Sequence, residues 1–157
     1  MEEARAAVAA DVPRLVELAL ALQAELTPMR GGALWSARES RVAPDEAAFT
    51  ALVDREDAEL VVGTIDGVVV GYGTLEYETL RDGHKLGLIG DIYVEDDARA
   101  VGVGELIAEQ LVASALAAGC QGIDAFALPG HREAKNFFER NGFTARALIM
   151  HKPLTRE

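Results

Sequence analysis

The run from Leu88 to Leu116 constrains the fold most, because it fixes a strand, a loop and a helix in immediate succession. Leu88-Ile89-Gly90-Asp91-Ile92-Tyr93-Val94 is rich in the β-branched, aromatic and apolar residues that suit a strand. Beyond the loop, apolar residues fall at Leu106, Ile107, Leu111, Val112, Ala115 and Leu116, with Glu105, Glu109, Gln110 and Ser114 between them. That spacing predicts a helix with one buried face. The junction is the charged stretch Glu95-Asp96-Asp97-Ala98-Arg99, followed by Gly102 and Gly104. A helix's first turn has unpaired N–H groups and a partial positive charge, so anions settle there. Glycines let backbone approach a phosphate where a side chain would obstruct it. Arg99 can add a charge or hold the loop in shape. Two phosphate motifs are excluded. A P-loop needs Gly-Lys-Ser/Thr, whereas Gly104 is followed by Glu105-Leu106, and a G-x-G-x-x-G fingerprint needs glycine where Ile107 stands.

Composition narrows the class. A chain of 157 residues, half of them hydrophobic, suits one soluble globular domain. No apolar run reaches the ~18 to 20 residues of a membrane span. Met1-Glu2-Glu3-Ala4-Arg5 lacks the basic start and apolar stretch of a signal peptide, so a cytoplasmic location and no membrane partner are expected. The single Cys120 has no partner for an internal disulfide and reads as a small core residue. His84, His131 and His151 lack metal-ligand spacing, so no metal is expected. A net charge of −11 argues against nucleic acid, whose binding rests on phosphate neutralisation. The same charge is compatible with a cationic amine substrate, and equally with simple solubility.

In chain order, Arg5 to Val8 reads as a first strand. Asp11 is a candidate cap for a helix with Pro13 in its first turn and Val12, Leu15, Val16, Ala19 and Leu22 on its apolar face. That helix ends near Thr27-Pro28. Residues 29–42 show no clear period. Pro44-Asp45-Glu46 opens another helix, to about Asp54. Strands at 60–65 and 68–78 flank the hairpin signal Asp66-Gly67, and Arg81 to His84 turns the chain into the strand ending at Val94. A helix at 102–118, a strand at 122–128, a helix at 131–140 and a last strand at 143–151 complete a single α+β domain, residues 1–157, with a mixed, mostly antiparallel sheet flanked by helices.

Arg99-x-x-Gly102-x-Gly104 after a strand resembles the acetyl-CoA pyrophosphate loop of the GNAT superfamily of N-acetyltransferases, Q/R-x-x-G-x-G/A. Ala134-Lys135-Asn136-Phe137-Phe138-Glu139-Arg140-Asn141-Gly142-Phe143 is similar to its A-x-x-F-Y-E-x-x-G-F segment. The resemblance implies central strands that splay apart, with pantetheine entering the gap. It implies acetyl-CoA contacts from Ile92, Tyr93 and Val94 and from Arg99, Ala100, Val101, Gly102, Val103, Gly104 and Glu105. His131, Ala134 and Phe138 would line the thioester end, with Phe137 read rather as core. It also implies an amine acceptor, flanked by Met29, Arg30, Trp35 and Glu78, and a homodimer.

This sequence departs from the family where protons are managed. Phe138 stands where relatives use tyrosine as an acid, Gly90 where several carry a glutamate, and His131 where asparagine is frequent. Glu76 and then His131 are the candidate bases, while strand alternation turns Asp91 and Tyr93 away from the Gly90/Ile92 side unless a bulge intervenes. The activity expected is transfer of acetyl from acetyl-CoA to a primary amine by direct attack. The alternative is a silent acyl-CoA-binding sensor.

Overall fold

The computed structural model describes residues 1–41 and 44–154. Its elements are β1 (Glu2–Ala6), α1 (Val12–Leu26), α2 (Gly32–Arg38), α3 (Glu46–Asp54), β2 (Ala58–Ile65), β3 (Val68–Thr79), β4 (Lys85–Val94), α4 (Val103–Ala117), β5 (Cys120–Ala125) and α5 (Arg132–Arg140). Single 3₁₀ turns precede α1 at Ala9–Asp11 and lie in the β4–α4 loop at Asp96–Ala98. The strands form one 5-stranded sheet in the order β1-β2-β3-β4-β5. Neighbours are antiparallel except β4 and β5, which run parallel across the α4 crossover. Among the described residues no helix is long and apolar enough to cross a membrane.

Helices cover both faces. Leu15, Leu18 and Leu22 of α1 and Phe49 and Leu52 of α3 pack on Leu60, Val62 and Tyr72. Val103, Ile107, Leu111 and Ala115 of α4 pack on Val61, Val70, Leu75 and Ile89 on the opposite side. Val61 and Val62 enter different cores because successive strand side chains point to opposite faces, and β2 therefore reads as a continuous apolar run. Helix α4 lies so close that a Cβ at Gly63 would come within 2.4 Å of Val103 and one at Gly73 within 2.8 Å of Ile107. The two glycines let α4 settle onto the sheet and so fix its N-terminus beside the end of β4.

Four local expectations change. The first strand is Glu2–Ala6, registered from Glu2↔Ile65 to Ala6↔Val61, because β2 extends that far. Asp11 makes no side-chain cap for α1; its carboxylate accepts from both Arg5 amino groups, at 2.7 and 3.0 Å, and from the Val8 N–H at 2.8 Å. The aperiodic stretch after Pro28 contains the short helix α2, started from Gly31 at φ 81°. The last strand expected at 143–151 joins no ladder: among the described residues that segment lies outside every strand pairing.

Candidate active site

A bulge and a divergence create the site. Gly73 faces Ile92 while Leu75 faces Ile89, so two steps along β3 match three along β4. The additional residue falls at Gly90-Asp91, and the Asp91 N–H donates to Thr74 Oγ1 at 2.9 Å. Ile89 and Ile92 consequently both pack toward α4. On the other side of β4, pairing with β5 stops at Ile89↔Ala125. From Gly90 to Val94 that edge of β4 has no strand against it among the described residues. Phe126 to Leu128, expected to continue β5, lead away instead. The gap holds an outer cleft of about 270 Å³ and a smaller inner one, which share Leu22, Ile92, His131, Ala134 and Phe138 as walls.

The outer cleft is bordered by the β4–α4 loop. Ala100 at φ 68° and Gly102 at φ 93° both adopt left-handed backbone, and Gly102 caps α4 without a side-chain hydrogen bond. Successive amides in such turns point into a common concavity that suits an anion. Among the described residues the N–H groups of residues 100–105 have no acceptor, the next one, Leu106, reaching the Gly102 carbonyl at 3.2 Å. Arg99 serves the loop's shape. Its Nε donates to the Val94 carbonyl at 2.8 Å and its amino groups meet Glu25 at 3.0 Å and Glu133 at 3.3 Å, with the guanidinium 5.5 Å from the Tyr93 ring centre. Across the cleft Arg140 pairs with Glu105 at 3.1 Å. Both cations of the lining therefore have carboxylate partners.

The inner cleft reaches Gly90, Asp91, Trp35, Leu26, Phe126 and Leu128. Asp91 is buried; its Oδ2 accepts from the Tyr72 hydroxyl at 2.8 Å and from Arg41 Nε at 3.3 Å. Burial, then the Asp91 charge, pushes the Tyr72 phenol well above its ordinary value, so it stays a hydrogen-bond donor. His131 precedes α5 and lines both clefts. Burial lowers its pKa below the usual 6.5, against the opposite pull of Glu25 and Glu133. The imidazole is thus neutral at pH 7 and can accept a proton.

Of the residues singled out in the sequence, Ile92, Tyr93, Val94, Arg99, Ala100, Gly104, Glu105, His131, Ala134 and Phe138 line the outer cleft. Val101 is exposed, Val103, the first residue of α4, is buried against the sheet, and neither these two nor Gly102 is among the residues that line the cleft. Trp35 is buried and also walls the inner cleft. Met29 packs half-buried against the α1 core and Arg30 is exposed; neither lines a cleft. Glu76 lies away from the gap, held by Arg55 at 3.2 Å, and Glu78 is exposed farther along β3. Phe137 reverses its expected role: it is half-buried in the outer cleft wall, whereas Phe138 is the buried ring, between Phe137 and Phe143.

Glu25, Glu133 and Arg140 were not anticipated, since nothing in their local sequence marks them. Asp91 was set aside on alternation, and the bulge reverses that. The signal for it is Gly90, a glycine inside a strand.

An α+β domain with a mixed sheet, parted at β4/β5 beside an amide-rich loop, is the class this fold and cleft define. The model of the acetyltransferase (GNAT) family matches residues 22–143. The chain belongs to the GNAT family, and it is an acyltransferase. Acetyl-CoA is the donor of that family. Solved structures agree on the fold. A tetramutant of the BH1408 protein from Bacillus halodurans superposes with a TM-score of 0.80 at 22% identity, over 96% of this chain and 99% of that one. Glucosamine-6-phosphate N-acetyltransferase from Arabidopsis thaliana gives 0.71 at 21% identity, covering 99% of each chain. An aminoglycoside acetyltransferase from an uncultured soil metagenomic sample, in complex with sisomicin, gives 0.72 at 16% identity, over 99% and 97%. A search of curated proteins matches none.

Proposed function

We propose that this acyltransferase moves acetyl from acetyl-CoA to a primary amine of a small molecule, peptide or protein by direct attack, with His131 as the base. The observation that carries the reading is the place of His131, a neutral imidazole on the wall shared by the two clefts. The donor lies in the outer cleft, its pyrophosphate against the amides of residues 100–105 and its pantetheine along the unpaired edge of β4. Val94 contributes less there than its neighbours, because its carbonyl already accepts from Arg99. The acceptor approaches through the inner cleft past Trp35. No serine, threonine or cysteine is among the described lining residues, which favours direct attack over an acyl-enzyme.

The proton balance is what His131 supplies. An amine of pKa about 10.4 is neutral in fewer than about one molecule per thousand at pH 7, a cost of about 4 to 5 kcal/mol. His131 takes one ammonium proton, the freed amine nitrogen then forms its bond to the acetyl carbon, and the second surplus proton on that nitrogen passes to solvent. The carbon–sulfur bond breaks, and the thiolate, of ordinary pKa about 8.5, leaves. The imidazolium can then return the proton to sulfur, which Phe138 cannot do. The test is calorimetric titration with acetyl-CoA, followed by an amine panel scored for free thiol. Binding with thiol release on an amine, cut about a hundredfold or more in His131→Asn, is the expected result. Binding with no release on any amine supports the silent sensor, and no binding sinks the donor site.

A further inference from the structure

The inner cleft is selective in the side chains it presents. Leu26, Trp35, Phe126 and Leu128 make most of its wall, and its polar side-chain groups are the Asp91 carboxylate, His131 and the Trp35 indole. Among the described lining residues there is no lysine, arginine, asparagine, glutamine, serine or threonine. Arg41, the cation paired with Asp91, lines neither cleft. Its Nε is engaged by Asp91 Oδ2, its guanidinium lies 5.4 Å from the Phe49 ring centre, and its carbonyl accepts from Gln23 Nε2 at 2.7 Å. The other carboxylate oxygen, Asp91 Oδ1, accepts no hydrogen bond from a described residue, yet it is not sealed from solvent.

A negative group entering this cleft meets a carboxylate and no lining cation. A hydroxyl-rich molecule meets apolar walls and few partners for the hydrogen bonds it leaves in water. An ammonium on an apolar tail suits both features, its charge facing Asp91 and its tail covered by the walls. We propose that the acceptor is an apolar primary amine, an alkyl chain ending in ammonium with no anionic group beside it. This rests on the acetyl transfer proposed above and narrows its acceptor. Asp91 is the binding group, which holds the ammonium through Oδ1 and repels carboxylates and phosphates. His131 keeps its place as the base.

The test titrates amines calorimetrically into the protein saturated with CoA, which has no acetyl to transfer, and scores thiol release from acetyl-CoA separately. 3-Methylbutylamine should bind at least about tenfold tighter than leucine, the same chain with a carboxylate, and than ethanolamine, which lacks the apolar tail. Asp91→Asn keeps an acceptor for Tyr72 but removes the charge, and should bring 3-methylbutylamine and leucine within about threefold of each other. Phe126→Ser, at a ring 47% exposed, should weaken 3-methylbutylamine about fivefold and leave ethanolamine unchanged, and it serves if the Asp91 variant does not fold. Nα-acetyllysine methylamide offers the same chain from a peptide: binding equal to 3-methylbutylamine makes a protein lysine the source, and weaker binding a free amine. The inference is overturned if 3-methylbutylamine does not bind, if leucine or ethanolamine binds as well, or if neither variant changes the selectivity. Thiol release on leucine but not on 3-methylbutylamine would overturn it and leave acetyl transfer standing. Selective binding of 3-methylbutylamine with no thiol release would do the reverse.

Discussion

At the outer end of the cleft the charged side chains are matched to one another, Arg99 to Glu25 and Glu133 and Arg140 to Glu105, and the groups left over are backbone amides. At the inner end the polar groups are individual side chains, Asp91 with Tyr72 and Arg41, and His131 between the two clefts. A site made of backbone is sensitive to shape and tolerant of side-chain chemistry. A site made of single side chains is the reverse. The contrast also divides the labour expected of a transferase, in which one donor is held by its common parts while acceptor and protons are handled by particular residues.

Changes at the inner end should therefore cost most. His131→Asn should lower kcat/KM by about 10² to 10⁴-fold, the usual worth of a positioned base, with little change in KM for acetyl-CoA. The pH profile sharpens this. The base works when neutral and burial holds its pKa below 6.5, so wild-type kcat/KM should be level near pH 7 and fall only as pH drops below 6.5. That acid limb should vanish in the variant; an unchanged limb would assign it to another group. Asp91→Ala strips a buried acceptor from Tyr72 and Arg41 and should cost about 1 to 3 kcal/mol of stability. For a domain of this size each kcal/mol lowers Tm by roughly 2 to 4 °C, readable by thermal melting.

The outer end should answer to shape. A Cβ at Gly104 would stand 3.1 Å from the Phe137 ring, which itself lines the cleft. Gly104→Leu should crowd the amides and raise KM for acetyl-CoA about tenfold, equivalent to about 1.4 kcal/mol, with acceptor KM unchanged. Equal effects on both KM values would erase the proposed division between the two ends.

The same contrast explains what could be read from the sequence. The outer end comes from one contiguous stretch, Val94 to Glu105, where strand, glycines and helix start are local signals. The inner end is assembled from α1, α2, β4 and the β5–α5 loop, so its residues meet only after folding. Strict alternation turns Asp91 away from the gap, and the residue inserted at Gly90-Asp91 is the bulge that turns it back. Glu76 reads as a base from its strand position, yet it lines neither cleft and pairs with Arg55 instead. Phe138 walls both clefts as the sequence suggests, and Phe137, read as core, joins it in the outer wall, because adjacent residues on a helix point to faces about 100° apart and only the docking of α5 decides what each one meets. The strand expected at 143–151 has the right composition, but composition does not decide pairing, and among the described residues this segment joins no ladder.

The smallest effects test whether amides or cations hold the outer anion. Arg140 and Glu105 form a solvent-facing pair, and such pairs are typically worth about 0.2 to 1 kcal/mol. If amides carry the pyrophosphate, Arg140→Ala should raise KM for acetyl-CoA less than about threefold. Glu105→Gln should act oppositely, lowering KM by a similar factor, since it removes a negative charge from the cleft and frees Arg140. It should also cost a few tenths of a kcal/mol in stability, because Glu105 sits in the first turn of α4, where an acid is favoured. A tenfold loss in Arg140→Ala would move the donor's recognition from backbone to side chain, and the difference between the two ends of the cleft would largely disappear.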